Sequence, residues 1–278
     1  MKYTSIFTTI ALSALAYSCT KTPSIKISGS TTVLPVISKA ADNYSQNEKN
    51  LKIIVNAGGS GVGINQLGEG KIDLGMASRD ITREEINSFP NVNFNTISIG
   101  KDAVVPVVSS EIYNAGLTAL SAEQLALIYL GKIENWKEVG GPDKEILCVD
   151  KEKARGTRHV FMDYIFGNKK ADAPGADLVL GSNNEEQTAI VQSDAAIGML
   201  SNAWLNDDVK GLSIITKDSL VIAPSLENII NGSYPISRDL IIITNGEPKG
   251  DVKTFVDYIL SDEGQKNVTS SGYVSLKK

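Results

Sequence analysis

Hydroxyl and guanidinium side chains gathered at helix starts can bind an oxyanion, and this chain places them at four successive turns. The first is Ser28-Gly29-Ser30-Thr31-Thr32, between the strand-like Ile25-Lys26-Ile27 and a helix beginning within Val33 to Ile37, where Pro35 suits the first turn. The second, Asn56-Ala57-Gly58-Gly59-Ser60-Gly61-Val62-Gly63, follows the apolar run Leu51 to Val55 and leads to a helix expected from Ile64. The third is Ser78-Arg79-Asp80, after Ile72 to Ala77 and before Thr82 and Glu85, which have capping-box spacing. The fourth spans Lys151 to Arg158, after Ile146 to Val149 and before an expected helix from His159 to Phe166. A helix start leaves backbone N–H groups without partners and carries partial positive charge. One such turn alone is ordinarily a Ser/Thr cap. Four that converge would hold a small tetrahedral anion with hydroxyls, amides and one or two guanidinium groups.

The elements that must position these turns alternate between strand-like and helix-like segments, which predicts an α/β architecture. Val104 to Val108 reads as a strand, Ser121 with Gln124 opens a helix from Leu125 to Leu130, and Gly131 ends it. Asn183 with Glu186 has the same capping spacing ahead of Gln187 to Gln192. Leu240 to Ile243, closed by Thr244-Asn245-Gly246, reads as a buried strand, and Phe255, Val256, Ile259 and Leu260 share one helical face suited to docking. The chain has no internal repeat and no Pro-rich linker, so local composition marks no domain boundary.

The amino terminus is not read as part of the fold. Lys2, the apolar and small-residue run Ile6 to Tyr17, and Ser18 before Cys19 read as an export signal over residues 1–18. Cys19 directly after such a run resembles a bacterial lipoprotein signal, in which that cysteine carries the lipid, with residues 19–24 as a tether; plain secretion with cleavage nearby is the alternative. The net charge of −5 becomes −6 once Lys2 is removed, and such a chain lacks the overall basic balance expected for nucleic acid or an anionic membrane surface. A small anion is not excluded, because a buried site acts through local dipoles. Cys148 is the only other cysteine and sits in an apolar run, so it is expected in the core.

The ordered set Ser28 to Val33, Gly58 to Gly61, Asp73 to Arg79, Leu125 to Gly141, Arg155 to Arg158 and Tyr234-Pro235-Ile236-Ser237-Arg238 resembles the phosphate-binding lipoproteins of bacterial ABC importers, the PstS-like family, from about Ile25 to Tyr273. The resemblance implies a two-domain type II periplasmic-binding fold with the ligand cleft between domains. Domain one would hold residues 25–103 and 235–278, domain two residues 104–234. It implies phosphate contacts from Thr31, Thr32, Ser60, Ser78, Arg79, Gly156 and Thr157; Ser30 is added because it shares their turn. Two departures stand out. Lys151 takes the place of an arginine and Arg155 that of a serine, so Arg155 could bring forked donors from a new origin. Arg79 holds the place of an aspartate that accepts the phosphate's proton in the family, and Asp80 follows one residue later, expected to point outward from a helix start.

The expected function is extracytoplasmic capture of inorganic phosphate by a lipid-anchored, monomeric protein that delivers it to an ABC permease and ATPase complex, with no cofactor and no metal. Sulfate, molybdate or tungstate binding is the nearer alternative, and phosphate-ester hydrolysis the more distant one. Catalytic signals are weak. Val62 stands where a G-x-S-x-G elbow needs its last glycine, Gly70-Lys71-Ile72 lacks the Ser/Thr of a P-loop, and His159 is the only histidine.

Overall fold

The computed structural model describes residues 22–48 and 50–276. The expected signal of residues 1–18 and the proposed lipidation site Cys19 lie outside them. Twelve strands and ten α-helices follow among the described residues. The strands are β1 (Ser24–Gly29), β2 (Lys52–Ala57), β3 (Leu74–Ala77), β4 (Phe94–Ser109), β5 (Ala119–Ser121), β6 (Leu147–Lys151), β7 (Leu178–Leu180), β8 (Ala196–Ser201), β9 (Val209–Gly211), β10 (Ser213–Ile215), β11 (Val221–Ile222) and β12 (Ser237–Asn245). The helices are α1 (Leu34–Asn47), α2 (Ser60–Gly68), α3 (Arg83–Ser88), α4 (Ser110–Asn114), α5 (Ala122–Tyr129), α6 (Gly156–Phe166), α7 (Asn183–Val191), α8 (Leu226–Ile230), α9 (Gly250–Leu260) and α10 (Asp262–Thr269).

The long strand β4 joins two halves of one curled sheet ordered β2-β1-β3-β12-β4-β8-β6-β7, with β9 also on β4. Its first part, Phe94 to Ala103, pairs antiparallel with β12, and its second, Val104 to Val108, pairs antiparallel with β8. The chain returns beside the same point, where the Val104 N–H donates to the Ile236 carbonyl at 2.8 Å. Two crossings therefore lie side by side. The apolar cores divide there. One cluster of buried residues lies wholly between Ala103 and Ile236 and includes Val105, Trp136, Phe161 and Ile197. Two others use only residues up to Ile99 or from Leu240 onward, among them Ile27, Val36, Phe255 and Ile259 on one sheet face and Ile64, Leu67 and Ile243 on the other. Each fully buried Ile or Phe contributes about 1.5–3 kcal/mol, so both halves carry a core of their own.

Several helix starts differ from the sequence reading in ways that matter for function. Helix α2 begins at Ser60 rather than near Ile64, and α6 at Gly156 rather than at His159, so the polar residues form the first helical turns themselves. The cap of α7 is Ser182 with Glu185, one residue ahead of the expected Asn183 with Glu186. That shift frees Asn183 and Glu186 for other contacts. Capping boxes at Thr82 with Glu85 and Ser121 with Gln124 form as read. Trp136 and Cys148 are core residues; Trp136 Nε1 donates to the Ala195 carbonyl at 2.9 Å, and burial pushes the Cys148 thiol far above its ordinary value.

Candidate anion-binding site

Strands β1, β2 and β3 run parallel in one half and β6 and β7 parallel in the other, and the two opposed sets deliver their carboxyl ends to the seam between the halves, the place where open α/β sheets bind ligands. The turns beyond them enclose a small cavity lined by Ser30, Thr31, Thr32, Gly59, Ser60 and Ser78 from one half and Lys151, Arg155, Gly156, Thr157, Gly181 and Asn183 from the other. The centre of a water-sized sphere has only about 10 Å³ to move in. Such a void is at the lower limit for one water molecule, so an oxyanion enters only as the two halves part, and an organic tail has no room.

The hydroxyls here are not spent on capping. The cap residues of α1, α2 and α6 are Val33, Gly59 and Arg155, and none makes a side-chain cap. Instead the hydroxyls contact one another. Ser30 Oγ donates to Ser78 Oγ at 3.0 Å and accepts from the Thr32 N–H at 3.2 Å, while Ser60 Oγ accepts from the Ser78 N–H at 3.1 Å. Across the seam, Asn183 Nδ2 donates to Thr32 Oγ1 at 3.2 Å, and Thr32 and Thr157 Oγ1 stand 3.5 Å apart. The turn before α6 closes over the cavity, because the Gly61 N–H donates to the Ala154 carbonyl at 3.2 Å.

Two glycines permit that closeness. A Cβ on Gly156 would stand 2.4 Å from both Ser60 Oγ and Ser78 Oγ, so only glycine lets α6 start against the opposite half. Gly59 takes φ 94°, a backbone region that other residues enter at a cost, and a Cβ there would meet the Arg155 guanidinium at 2.8 Å.

No carboxylate lines the cavity, and each nearby cation has an acid behind it. Buried Lys151 forms an ion pair with buried Glu186. Burial lowers the ammonium's pKa and raises the carboxyl's, each against the pull of its partner. Arg155 donates from Nε and Nη2 to Glu152 Oε2 at 2.8 and 2.6 Å. Arg238, behind the wall, pairs with Asp102 at 2.6 Å. The cavity is thus built from donors with local charge balanced close by, the arrangement in which backbone and hydroxyl dipoles attract an anion.

Of the residues singled out in the sequence, Ser30, Thr31, Thr32, Ser60, Ser78, Arg155, Gly156 and Thr157 come together at this cavity. Arg79 does not. Its guanidinium turns away and clasps Glu85 with two bonds of 2.8 and 2.7 Å, and Nη1 also donates to the Asp80 carbonyl at 2.8 Å. The physical reason is that Glu85, fixed as the N3 carboxylate of the α3 capping box, offers a forked acceptor one turn away. Asp80 is exposed and faces the same outer cleft as Arg79. Lys151, Gly59, Gly181 and Asn183 line the cavity without having been assigned to it. The Asn183 signal was present but read one residue out of register.

A family model for the PBP superfamily domain matches residues 17–263. The phosphate-binding protein PstS of Bacillus subtilis is 34% identical over 253 residues, covering 90% of this chain and 80% of the relative. PstS of Borreliella burgdorferi is 30% identical over 289 residues, covering 100% of both chains. A crystal structure from Clostridium perfringens, described as a phosphate ABC transporter substrate-binding protein with bound phosphate, superposes with a TM-score of 0.81 at 30% identity, covering 91% of this chain and 100% of that one. The fold is therefore the two-domain type II periplasmic-binding class, with its ligand cleft between the domains. Within that class, the chain belongs to the PstS-like family of phosphate-binding proteins.

Proposed function

We propose that this protein captures inorganic phosphate outside the cytoplasm and delivers it to an ABC importer, and that it is not an enzyme. The observation that carries the reading is the enclosed cavity: it is small, rich in hydroxyl and N–H donors, free of carboxylates, and formed by two lobes that meet over it. We take the lobes as residues 25–103 with 235–278 and residues 104–234, hinged at the paired crossings, so that closure removes the anion from water and strengthens each contact. Ser30, Thr31, Thr32, Ser60, Ser78, Gly156 and Thr157 are assigned to the anion, with Arg155 covering it and Lys151 and Asn183 added from the cavity wall. Arg79 is left out of this set. The printed functions of the relatives support the phosphate and transporter assignments.

Titration calorimetry tests this directly. One phosphate should bind per chain; absence of phosphate binding would reject the reading. A lipid anchor on Cys19 and a monomeric state complete the proposal. Among the described residues no helix is long and apolar enough to cross a membrane. Cys19→Ser should then move the protein from the membrane fraction to the soluble fraction, and unchanged partition would reject the anchor.

A further inference from the structure

Arg238 opens the return strand β12 at the crossing between the lobes, and beside it on β4 stands Asp102; both are buried. A guanidinium has five N–H bonds to place, and here every one has a partner. Nε and Nη2 donate to Asp102 Oδ2 at 2.8 and 2.6 Å. Nη2 also donates to Thr32 Oγ1 at 3.3 Å, and Nη1 donates to Thr157 Oγ1 at 3.1 Å and to the Ser78 carbonyl at 3.3 Å. Asp102 is steadied from its other side by Ser201 Oγ, which donates to Oδ1 at 2.6 Å. One side chain at the hinge thus grips two turns of the first lobe and the helix start of the second. It stands behind the cavity wall, not in it.

The consequence concerns the direction of the hydroxyl hydrogens. A threonine hydroxyl has one hydrogen and two lone pairs. Thr32 Oγ1 accepts from Arg238 Nη2 and from Asn183 Nδ2, so both lone pairs are occupied and the hydrogen must be donated elsewhere. Thr157 Oγ1 has one lone pair taken by Arg238 Nη1. At 3.5 Å the two hydroxyls barely reach each other, and both line the cavity.

We propose that Arg238, locked by Asp102, is a positioning residue for anion capture: it turns the Thr32 and Thr157 hydroxyls into donors toward the cavity and engages the second lobe, through Thr157, when the lobes meet. The inference rests on the oxyanion-binding reading of that cavity. Lysine cannot replace it, because three donors on one ammonium cannot reach Asp102, both hydroxyls and the Ser78 carbonyl together.

The test is a double-mutant cycle read as phosphate affinity by calorimetry, with Arg238→Lys, Thr157→Ala and the pair of changes, each variant checked for folding by circular dichroism. Arg238→Lys should weaken binding at least tenfold, and Thr157→Ala should cost a much smaller factor in that background than in the native protein. Where Arg238→Lys does not fold, Asp102→Asn with Arg238→Gln keeps a neutral hydrogen-bonded pair at the crossing and enters the cycle in its place, with the same expectation. Affinity within twofold of native, or losses that simply multiply, would overturn the role of Arg238; a purely structural arginine would lower the melting temperature without this coupling. A native protein that binds no phosphate would instead reject the reading on which the inference rests.

Discussion

Two spaces lie between the lobes, and neighbouring residues at the end of β3 face different ones: Ser78 lines the small cavity and Arg79 the wide outer cleft. The cleft is about 960 Å³ and carries many more charges, with Arg79, Arg83, Lys101, Lys169, Lys170 and the inner Arg238 set among Asp80, Glu84, Asp163 and Asp239. Its cations have competing acids in the same space. The Lys170–Glu84 pair at 3.0 Å bridges the lobes there with side chains 60 and 69% exposed, so salt and water screen it heavily. The cavity holds fewer charges, no carboxylate lines it, and its hydroxyls and amides bond chiefly to one another. An anion site is made by fixed dipoles and missing acceptors more than by the density of positive charge.

The strongest way to break that contrast is to push the lobes apart at the cavity. Gly156→Ala sets a methyl against Ser60 Oγ and Ser78 Oγ, so closure should fail and phosphate affinity should fall by more than about 100-fold, the loss of two or more charge-assisted hydrogen bonds. Calorimetry measures it, and small-angle scattering should show the variant staying open with phosphate present. Next in size are single donors. Ser60→Ala or Thr157→Ala should each weaken phosphate by roughly 10- to 150-fold, from about 1.5–3 kcal/mol per bond to a charged group. Near-native affinity in both would move the anion out of this cavity.

The cleft should answer to pH where the cavity answers to substitution. His159 faces the cleft from α6, buried with Nδ1 unpartnered, and burial, with Arg79 and Arg158 nearby and Glu85 opposing them, holds its pKa down to about 4 against an ordinary 6.5. Between pH 6.5 and 4 the unfolded chain binds a proton that the folded chain refuses, so this group removes stability as pH falls through that window and has no effect above it. Discounted for partial solvation, the loss is about 2 kcal/mol, or roughly 4–8 °C in melting temperature. His159→Gln should flatten the melting curve over that range and leave phosphate affinity at pH 7 within about threefold, on the scale of a group outside the cavity. A variant that keeps the native pH profile would show that His159 is not the group.

The cavity was largely legible in the sequence because a strand, a polar turn and a helix start are local features, and Ser30, Thr32, Ser60 and Thr157 each lie in one. Arg79 shares a turn with Ser78 yet faces the cleft, because its direction depends on Glu85, whose capping role is local and whose spare acceptor geometry is not. Arg238 was visible within a motif and received no role, since its partners Asp102, Thr32 and Thr157 lie 136, 206 and 81 residues away. Asn183 was lost to a one-residue capping error. The sheet's passage through β4, pairing with β12 and then β8, is a long-range register that no local pattern records.

The smallest expected effect is the sharpest test of the comparison. Hydrogen phosphate carries a proton and sulfate does not, so a carboxylate in the cavity would bond the first and repel the second. Asp80 is the acid nearest in sequence to Ser78, yet it is exposed and belongs to the cleft, where its charge is screened from the anion. Acceptance of the phosphate proton then falls to hydroxyl oxygens with a free lone pair or to the backbone, neutral groups that penalise sulfate less than a carboxylate would. Asp80→Asn should therefore change the ratio of phosphate to sulfate affinity by less than about twofold, a difference of under 0.5 kcal/mol. A tenfold fall in that ratio with phosphate still bound would place Asp80 inside the closed site and erase the boundary between cavity and cleft drawn at Ser78 and Arg79.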